Sequence, residues 1–207
     1  MLVNLFPQTV YMAQDTTQVR ATNAWFDRIG DRAKNYYNPQ NELVCRSTLN
    51  QGAGYTPGRA EVLWDLSQEP EWAGWVNWIE YHVECYLEQM AFQPYKIQVV
   101  NTWLNEQRKQ HKVKEHMHYG YSLSRVYYPQ IPQGSGAINF SSGRESSEHT
   151  LAVSQATPIN FNEWVIPVQT GTILIFNSTM LHGVPAMEFE GVRRSVAFDC
   201  VLTRGVS

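Results

Sequence analysis

From about residue 95 to its end, the chain is a succession of short apolar segments separated by turn-forming residues, with no helical periodicity between them. In residues 96–105, Ile97, Val99 and Trp103 fall at even spacing and β-branched residues are frequent, which is typical of a strand. Further candidate strands cover residues 122–128, 137–140, 163–168, 172–176 and 194–202. Short strands without intervening helices favour an antiparallel sandwich or barrel over a doubly wound sheet.

The first 94 residues have a different pattern. Apolar residues tend toward one face over residues 16–35 and follow the helical i, i+3, i+4, i+7 rule over residues 70–90. Residues 38–57 mix Asn, Pro and Gly and predict a loop. We therefore expect two helices that pack against the sheet formed by the rest of the chain.

The chain length predicts one domain. Its 207 residues, 43% of them hydrophobic, can bury one core but are few for two. We expect a single domain over residues 1–207, with helical support and loops in 1–94 and a β core with the functional site in 95–207.

The charge pattern argues against nucleic acid as a partner. Net charge is −3 and the sequence pI is about 6.1, so a broad basic face is not expected. The local basic run at residues 108–114 predicts a solvated turn between two strands. No segment has the ~20 apolar residues of a membrane span, and three widely spaced cysteines fit a reducing cytoplasm.

Three histidines predict a mononuclear metal site. His116 and His118 lie two residues apart at the start of a predicted strand, so their side chains should share a face. His182 follows an apolar strand and precedes Gly183, where a loop can hold it. Imidazoles suit zinc, iron, copper and nickel, and three protein ligands leave positions open. The remaining histidines, His82, His111 and His149, are expected to be surface or hydrogen-bonded residues.

An anion anchor is predicted beyond His182. Arg193 and Ser195 share one face of a strand, and a guanidinium beside a hydroxyl suits a carboxylate. Arg194 points to the other face and is expected to be a surface charge. If the strand starting near residue 122 is regular, Tyr128 shares the parity of His116 and His118 and could reach the same acid.

These motifs resemble the iron(II)- and 2-oxoglutarate-dependent oxygenases, in particular their small bacterial and phage branch. The matching phrases are, in order, LFP, WLNEQRKQ, HMHYGYSLSRVYYP, QGSGAINF, GTILIFNSTMLHGV and RRSVAF. The resemblance implies a double-stranded β-helix (jelly roll) that the N-terminal helices buttress. It also implies Fe(II) as cofactor, with 2-oxoglutarate and dioxygen as cosubstrates of a hydroxylation.

By the same resemblance, His116 and His182 are the family's two ligand histidines. Arg193 with Ser195 is its R-x-S clamp for the distal carboxylate of 2-oxoglutarate, and Tyr128 matches a tyrosine that assists the clamp. One departure is clear: the wider family has an acid where this chain has His118, so a neutral imidazole replaces a carboxylate. Glu115 is adjacent, but a regular strand would point it away.

Two other functions are compatible with the sequence. A cupin-like enzyme would use the three histidines without a keto acid, although the cupin glutamate and closing glycine spacing are missing. Alternatively, a jelly-roll binding or assembly module would hold a vestigial or structural ion. Contacts to the prime substrate are expected in the polar stretch 141–158, whose composition indicates no substrate class. The oligomeric state is likewise not indicated.

Overall fold

The computed structural model describes residues 8–50, 61–133, 135–142, 154–155, 157 and 160–204. The helices are α1 (Val19–Asp27) and α2 (Trp72–Gln89). The strands are β1 (Val10–Gln14), β2 (Lys34–Tyr37), β3 (Leu43–Ser47), β4 (Leu49–Asn50), β5 (Glu61–Val62), β6 (Tyr95–Gln107), β7 (Val113–His116), β8 (Leu123–Gln130), β9 (Ala137–Ser141), β10 (Glu163–Pro167), β11 (Thr172–Asn177), β12 (Leu181–Val184) and β13 (Arg193–Arg204).

The strands form two principal antiparallel sheets. The larger has seven strands in the order β1-β11-β8-β13-β6-β3-β2, and the smaller has four in the order β10-β9-β12-β7. Strands β4 and β5 form a short separate pair. The prediction of a mainly β, antiparallel fold with supporting helices is confirmed, and the two sheets are consistent with a jelly-roll core.

Two apolar clusters stabilise this arrangement. The first lies between the helices and the outer face of the seven-stranded sheet, and joins Trp25, Phe26, Trp75, Ile79, Val83, Leu104, Tyr127, Ile173, Val196 and Phe198. The second joins Val126, Tyr128, Ile138, Phe140, Leu174 and Phe176, from strands of both sheets. Complete burial of an apolar side chain such as Phe198 stabilises the fold by roughly 1.5–3 kcal/mol. The expected packing of the two helices against a sheet is confirmed.

The structure corrects several predicted boundaries. Helix α1 is shorter than the predicted 16–35, because residues 30–32 form a 3-10 turn and β2 begins at Lys34. The predicted loop at 38–57 is wrong for β3 and β4, which lie within it. Residues 108–112 of the basic run connect β6 and β7 as predicted, but residues 113 and 114 already belong to β7. Among the described residues, neither helix combines the length and apolar character needed to cross a bilayer.

Strand β13 positions the candidate site. It pairs with β6 on one side and β8 on the other, at the centre of the larger sheet. Its side chains alternate, so Val196, Phe198 and Cys200 face the helices. Arg193 and Asp199 consequently face the interior between the sheets, where the smaller sheet presents β7 and β12.

Candidate metal centre

The three predicted histidines come together at one point of the interior. One ring nitrogen from each of His116, His118 and His182 lies within 4.8 Å of the others. Ring centres are 4.4 Å apart for His116 and His182, and 5.0 Å apart for His116 and His118. Nitrogens bound to one ion at about 2.1 Å can be at most about 4.2 Å apart, so a small side-chain adjustment suffices for a shared ion.

Strand pairing accounts for this convergence. His116 is the last residue of β7 and is registered opposite His182 on β12. Gly183 permits the close approach, because a Cβ there would lie 2.8 Å from the carbonyl oxygen of Val113 on β7. His118 lies beyond the end of β7, and its backbone N–H donates to the carbonyl of Ser178 at 2.8 Å. The predicted shared strand face is therefore wrong for His118, although its ring reaches the same point.

Each of the three rings is oriented through its Nδ1 atom. His116 Nδ1 bonds the carbonyl of Lys114 at 2.9 Å, and His182 Nδ1 bonds the carbonyl of Met180 at 2.8 Å. His118 Nδ1 bonds the Asp199 carboxylate at 2.7 Å. Acceptors at all three Nδ1 atoms favour the tautomer with a proton there, which leaves the Nε2 lone pairs free for an ion.

The surroundings of His116 and His182 favour the neutral form of both imidazoles. Burial lowers the pKa of His182 to about 3, and the neighbouring His116 adds to this effect. Burial also lowers the pKa of His116. Because a metal binds the unprotonated ring, weak competition by protons favours metal binding at neutral pH. This donor set fits iron(II) and the other ions that imidazole prefers.

Aromatic side chains surround the cluster. Phe176 contacts His182 edge-on at 4.8 Å between ring centres, and Trp103 lies 5.8 Å from His118. Phe140 is 6.1 Å from His182 on another side. These apolar walls restrict the ring orientations and lower the local dielectric around a bound ion.

Neither neighbouring carboxylate occupies a ligand position. Glu115 accepts hydrogen bonds from Asn139, at 3.1 Å, and from Ser141, away from the histidines as its strand parity predicts. Asp199 lies behind His118 and contacts its Nδ1 atom. The centre is therefore formed by three imidazoles, with one carboxylate in contact with the third.

Arg193 is buried on the same inner face of β13, at 1% exposure. Its Nη1 donates to Gln107 Oε1 at 2.7 Å, its Nη2 donates to the Ala137 carbonyl at 3.3 Å, and the guanidinium stacks on the Tyr128 ring at 4.9 Å. Its Nε atom has no hydrogen-bond partner, and no described carboxylate forms an ion pair with it. Burial lowers the pKa of Arg193, because desolvation disfavours its charged form. A buried cation with neutral partners is a suitable anchor for an anion.

A fourth imidazole, that of His111, lies near this cation. His111 Nδ1 accepts from Gln107 Nε2 at 3.0 Å, and burial together with the charge of Arg193 lowers the pKa of His111 to about 4. A cleft of about 650 Å³ opens beside Arg193, between Ala137 and Met187. Arg193 lines this cleft but the three histidines do not, so the cleft lies beside the candidate anion anchor rather than beside the candidate metal centre.

The remaining site predictions have mixed outcomes. Tyr128 contacts Arg193 as proposed, but the parity argument for it fails, because β7 ends at His116 and a turn precedes β8. Ser195 is buried and shares a strand face with Arg193. His82 and His111 are hydrogen-bonded, as expected. His149 and most of the stretch 141–158 lie outside the described residues.

Sequence reasoning missed Asp199, Ser124 and Gln107. Asp199 had a usable signal, because an acid in the apolar strand segment RRSVAFD has the parity of Arg193 and Ser195. Gln107 had none, because its pairing with Arg193 depends on the β6–β13 register.

Several solved structures share the fold of this chain. A 2OG-Fe(II) oxygenase family oxidoreductase from Burkholderia pseudomallei is 12% identical with a TM-score of 0.61, covering 93% of this chain and 85% of that one. The non-heme alpha ketoglutarate dependent epimerase SnoN from nogalamycin biosynthesis is 11% identical with a TM-score of 0.62, covering 94% and 78%. HygX from Streptomyces hygroscopicus is 12% identical with a TM-score of 0.60, covering 94% and 83%. The chain therefore has the fold of the 2-oxoglutarate-dependent oxygenases.

A family model matches the part of the chain that contains the candidate site. Residues 101–199 match the family described as "Putative 2OG-Fe(II) oxygenase", and this segment includes all three histidines and Arg193. A comparison with curated proteins finds no match. This segment, just under half of the chain, therefore matches the 2OG-Fe(II) oxygenase family, and the whole chain has the fold of the 2-oxoglutarate-dependent enzymes.

Proposed function

We propose that this protein is a non-haem iron(II)- and 2-oxoglutarate-dependent oxygenase that hydroxylates its prime substrate. One observation carries the proposal: three imidazoles converge within 4.8 Å on an inner surface that also holds the buried cation Arg193. A metal centre and an anion anchor in one interior are what a chelating keto acid with a distal carboxylate requires.

His116, His118 and His182 would hold the iron through their Nε2 atoms. Iron(II) with bound 2-oxoglutarate supplies the activation of dioxygen and the oxidation of a C–H bond. The chain's own part is to fix the three rings through their Nδ1 bonds and to exclude water with Trp103 and Phe176.

Arg193 would bind the distal carboxylate of 2-oxoglutarate. The incoming carboxylate would replace the neutral oxygen of Gln107 and supply the counter-charge that the buried guanidinium lacks among its described neighbours. The Tyr128 ring, on which the guanidinium stacks, would orient Arg193. Ser195 offers a hydroxyl on the same strand face as Arg193. Related structures support this assignment: HygX was solved with nickel and 2-oxoglutarate bound, and SnoN with Fe3+ and alpha ketoglutarate.

The proposal also covers the topology, the domain organisation, the partners and the cellular location of the protein. We expect the two sheets to form a true jelly roll within a single domain, with dioxygen and a prime substrate as further partners. The three free thiols of Cys45, Cys85 and Cys200 support a reducing, cytoplasmic location.

The proposal is tested by anaerobic titration of the metal-free protein with iron(II) and then 2-oxoglutarate. The chelated keto acid should produce a weak visible charge-transfer band. Arg193→Leu should weaken 2-oxoglutarate binding at least about 30-fold, since a buried charge pair contributes roughly 2 kcal/mol or more, while metal content stays unchanged. Arg194→Leu is the matched control: Arg194 lies on the opposite strand face, bonded to Glu106, so keto-acid affinity should not change.

The other functions give different results. A cupin-like enzyme would bind metal at the histidines but show no charge-transfer band with 2-oxoglutarate. A binding module would keep its fold and consume no 2-oxoglutarate after metal loading. Loss of metal from the Arg193→Leu variant would contradict the separation between ligands and anchor.

A further inference from the structure

A buried carboxylate contacts the metal centre without belonging to the ligand set. Asp199 is 2% exposed, and its Oδ1 atom accepts from His118 Nδ1 at 2.7 Å and from Ser124 Oγ at 2.8 Å. Ser124 is itself buried and is registered opposite Asp199 in the β8–β13 pair. Two hydrogen bonds, from His118 and from Ser124, therefore hold this carboxylate at the Nδ1 edge of the His118 ring.

This position is unusual for an acid. A buried carboxylate is costly unless a cation or hydrogen-bond donors compensate it. Within the residues that the structure describes, no Lys or Arg forms an ion pair with Asp199, and its ion-pair partner is His118. The contact with that ring therefore links the carboxylate to whatever binds on the other side of the ring.

The net charge of an occupied metal centre explains why the contact between Asp199 and His118 matters. Three neutral imidazoles leave both charges of a divalent ion uncompensated, whereas two imidazoles and one ligand carboxylate would leave one. If the negative charge of Asp199 is counted together with the divalent ion and the three neutral imidazoles, the net charge is +1. This is the same net charge that two imidazoles and one ligand carboxylate would give. A hydrogen-bonded carboxylate also increases the donor strength of an imidazole and fixes its orientation.

We propose that Asp199 is a positioning residue of the metal centre: it orients His118 and supplies, through that ring, the negative charge that a ligand carboxylate would otherwise provide. The inference rests on the proposed function only insofar as the three histidines bind a metal. It needs neither 2-oxoglutarate nor turnover.

Two variants separate charge from orientation. Asp199→Asn keeps an oxygen that can accept from His118 and Ser124 but removes the charge, whereas Asp199→Ala removes both. We expect affinity for iron(II), measured anaerobically by competition with a chelator, to fall by about tenfold in the first variant and by about 100-fold in the second. With cobalt(II) as a probe, the visible d–d spectrum should shift in both.

Glu115→Gln is the matched control. Glu115 is a carboxylate next to His116 in sequence, but it bonds Asn139 and Ser141. Its replacement should leave iron affinity and the cobalt(II) spectrum as in the unmodified protein. A loss equal to that of Asp199→Asn would show a general charge effect and overturn the proposal.

Other outcomes also decide the question. Wild-type metal affinity in both Asp199 variants, with or without a lower melting temperature of the metal-free protein, would show that Asp199 serves folding alone. If these variants do not fold, Ser124→Ala, which removes one of the two bonds that hold the carboxylate, should weaken iron binding about threefold, and unchanged affinity there would overturn the proposal. Failure of the wild-type protein to bind any metal would refute the proposed function first.

Discussion

At the residue scale, Gly183 limits the distance between two of the candidate ligands, His116 and His182. It lies next to His182 on β12, and a Cβ at this position would lie 2.8 Å from the Val113 carbonyl and 3.2 Å from Asn139 Oδ1. The first of these atoms is backbone of β7 and can move only with its strand. A larger residue should therefore push β12 away from β7 and separate His182 from His116.

We expect Gly183→Ala to weaken iron(II) binding by about tenfold or more and to destabilise the fold by roughly 1–3 kcal/mol. Chelator competition and urea unfolding of the metal-free protein measure the two effects. Gly74→Ala is the control, because nothing lies within 4 Å of a Cβ there and its place in α2 predicts a gain of about 1 kcal/mol. Unchanged iron affinity in Gly183→Ala would show that the sheet adjusts freely.

The residue scale is also where the sequence was most informative. His116, His118, His182 and Arg193 could be chosen from their types and spacing, because metal binding and carboxylate binding demand specific donors. The hydrogen bonds of the three Nδ1 atoms could not be predicted, since two of their acceptors are backbone carbonyls, which every residue carries.

At the element scale, sequence reasoning succeeded where a pattern is local. The apolar stripe of α2 and the alternation in β6, β8 and β13 are visible within one segment. Strands β1, β2 and β3 were missed because their stability comes from distant partners: Val10 pairs with Phe176, and Cys45 with Gln107. Arg194 was expected on the surface, but it joins β13 to α1 through Asn23 and to β6 through Glu106.

A second buried cation lies between the helices and the sheet. Arg125 on β8 is 2% exposed, stacks on Phe198 and contacts the Cys200 sulfur, while its Nε and Nη2 atoms have no hydrogen-bond partner. Burial lowers the pKa of Arg125, which reflects the cost of its charge there. Unlike Arg193, it does not line the cleft between Ala137 and Met187.

We therefore expect Arg125→Met to be neutral or to stabilise the protein by about 1 kcal/mol or more, because an apolar side chain of similar length removes the desolvation cost. Urea unfolding measures the change. Arg194→Met should instead destabilise, since Glu106 would lose a partner at 3.1 Å. Strong destabilisation by Arg125→Met would mean that the guanidinium contacts outweigh its desolvation.

At the scale of the whole molecule, several buried imidazoles couple stability to pH. Burial is the main cause that lowers the pKa of His82, His111, His116 and His182, to about 4 for His111 and about 3 for His182. In the unfolded chain these rings titrate near their ordinary pKa of about 6.5. Between these values the unfolded state binds protons that the folded state does not.

The stability of the metal-free protein should therefore fall as pH decreases from about 7 to about 4. Each fully buried imidazole contributes on the order of 1–2 kcal/mol between pH 6.5 and 5. Asp15 adds to the loss at lower pH: burial opposes its ionisation, but hydrogen bonds from Thr17 and Trp78 outweigh this and hold its pKa at about 2. Urea midpoints at four pH values measure the trend.

His111 provides the control for this pH dependence, because it titrates in the same window but lies at the anchor rather than at the metal centre. In His111→Gln, one titrating group is removed, so the fall in stability between pH 6.5 and 5 should be shallower than in the unmodified protein. Since protonated imidazoles cannot bind a metal, saturating zinc(II) should steepen the same dependence through the rings of the candidate metal centre, to which His82 and His111 do not belong. A urea midpoint that is constant from pH 7 to pH 5 would contradict the burial of these histidines.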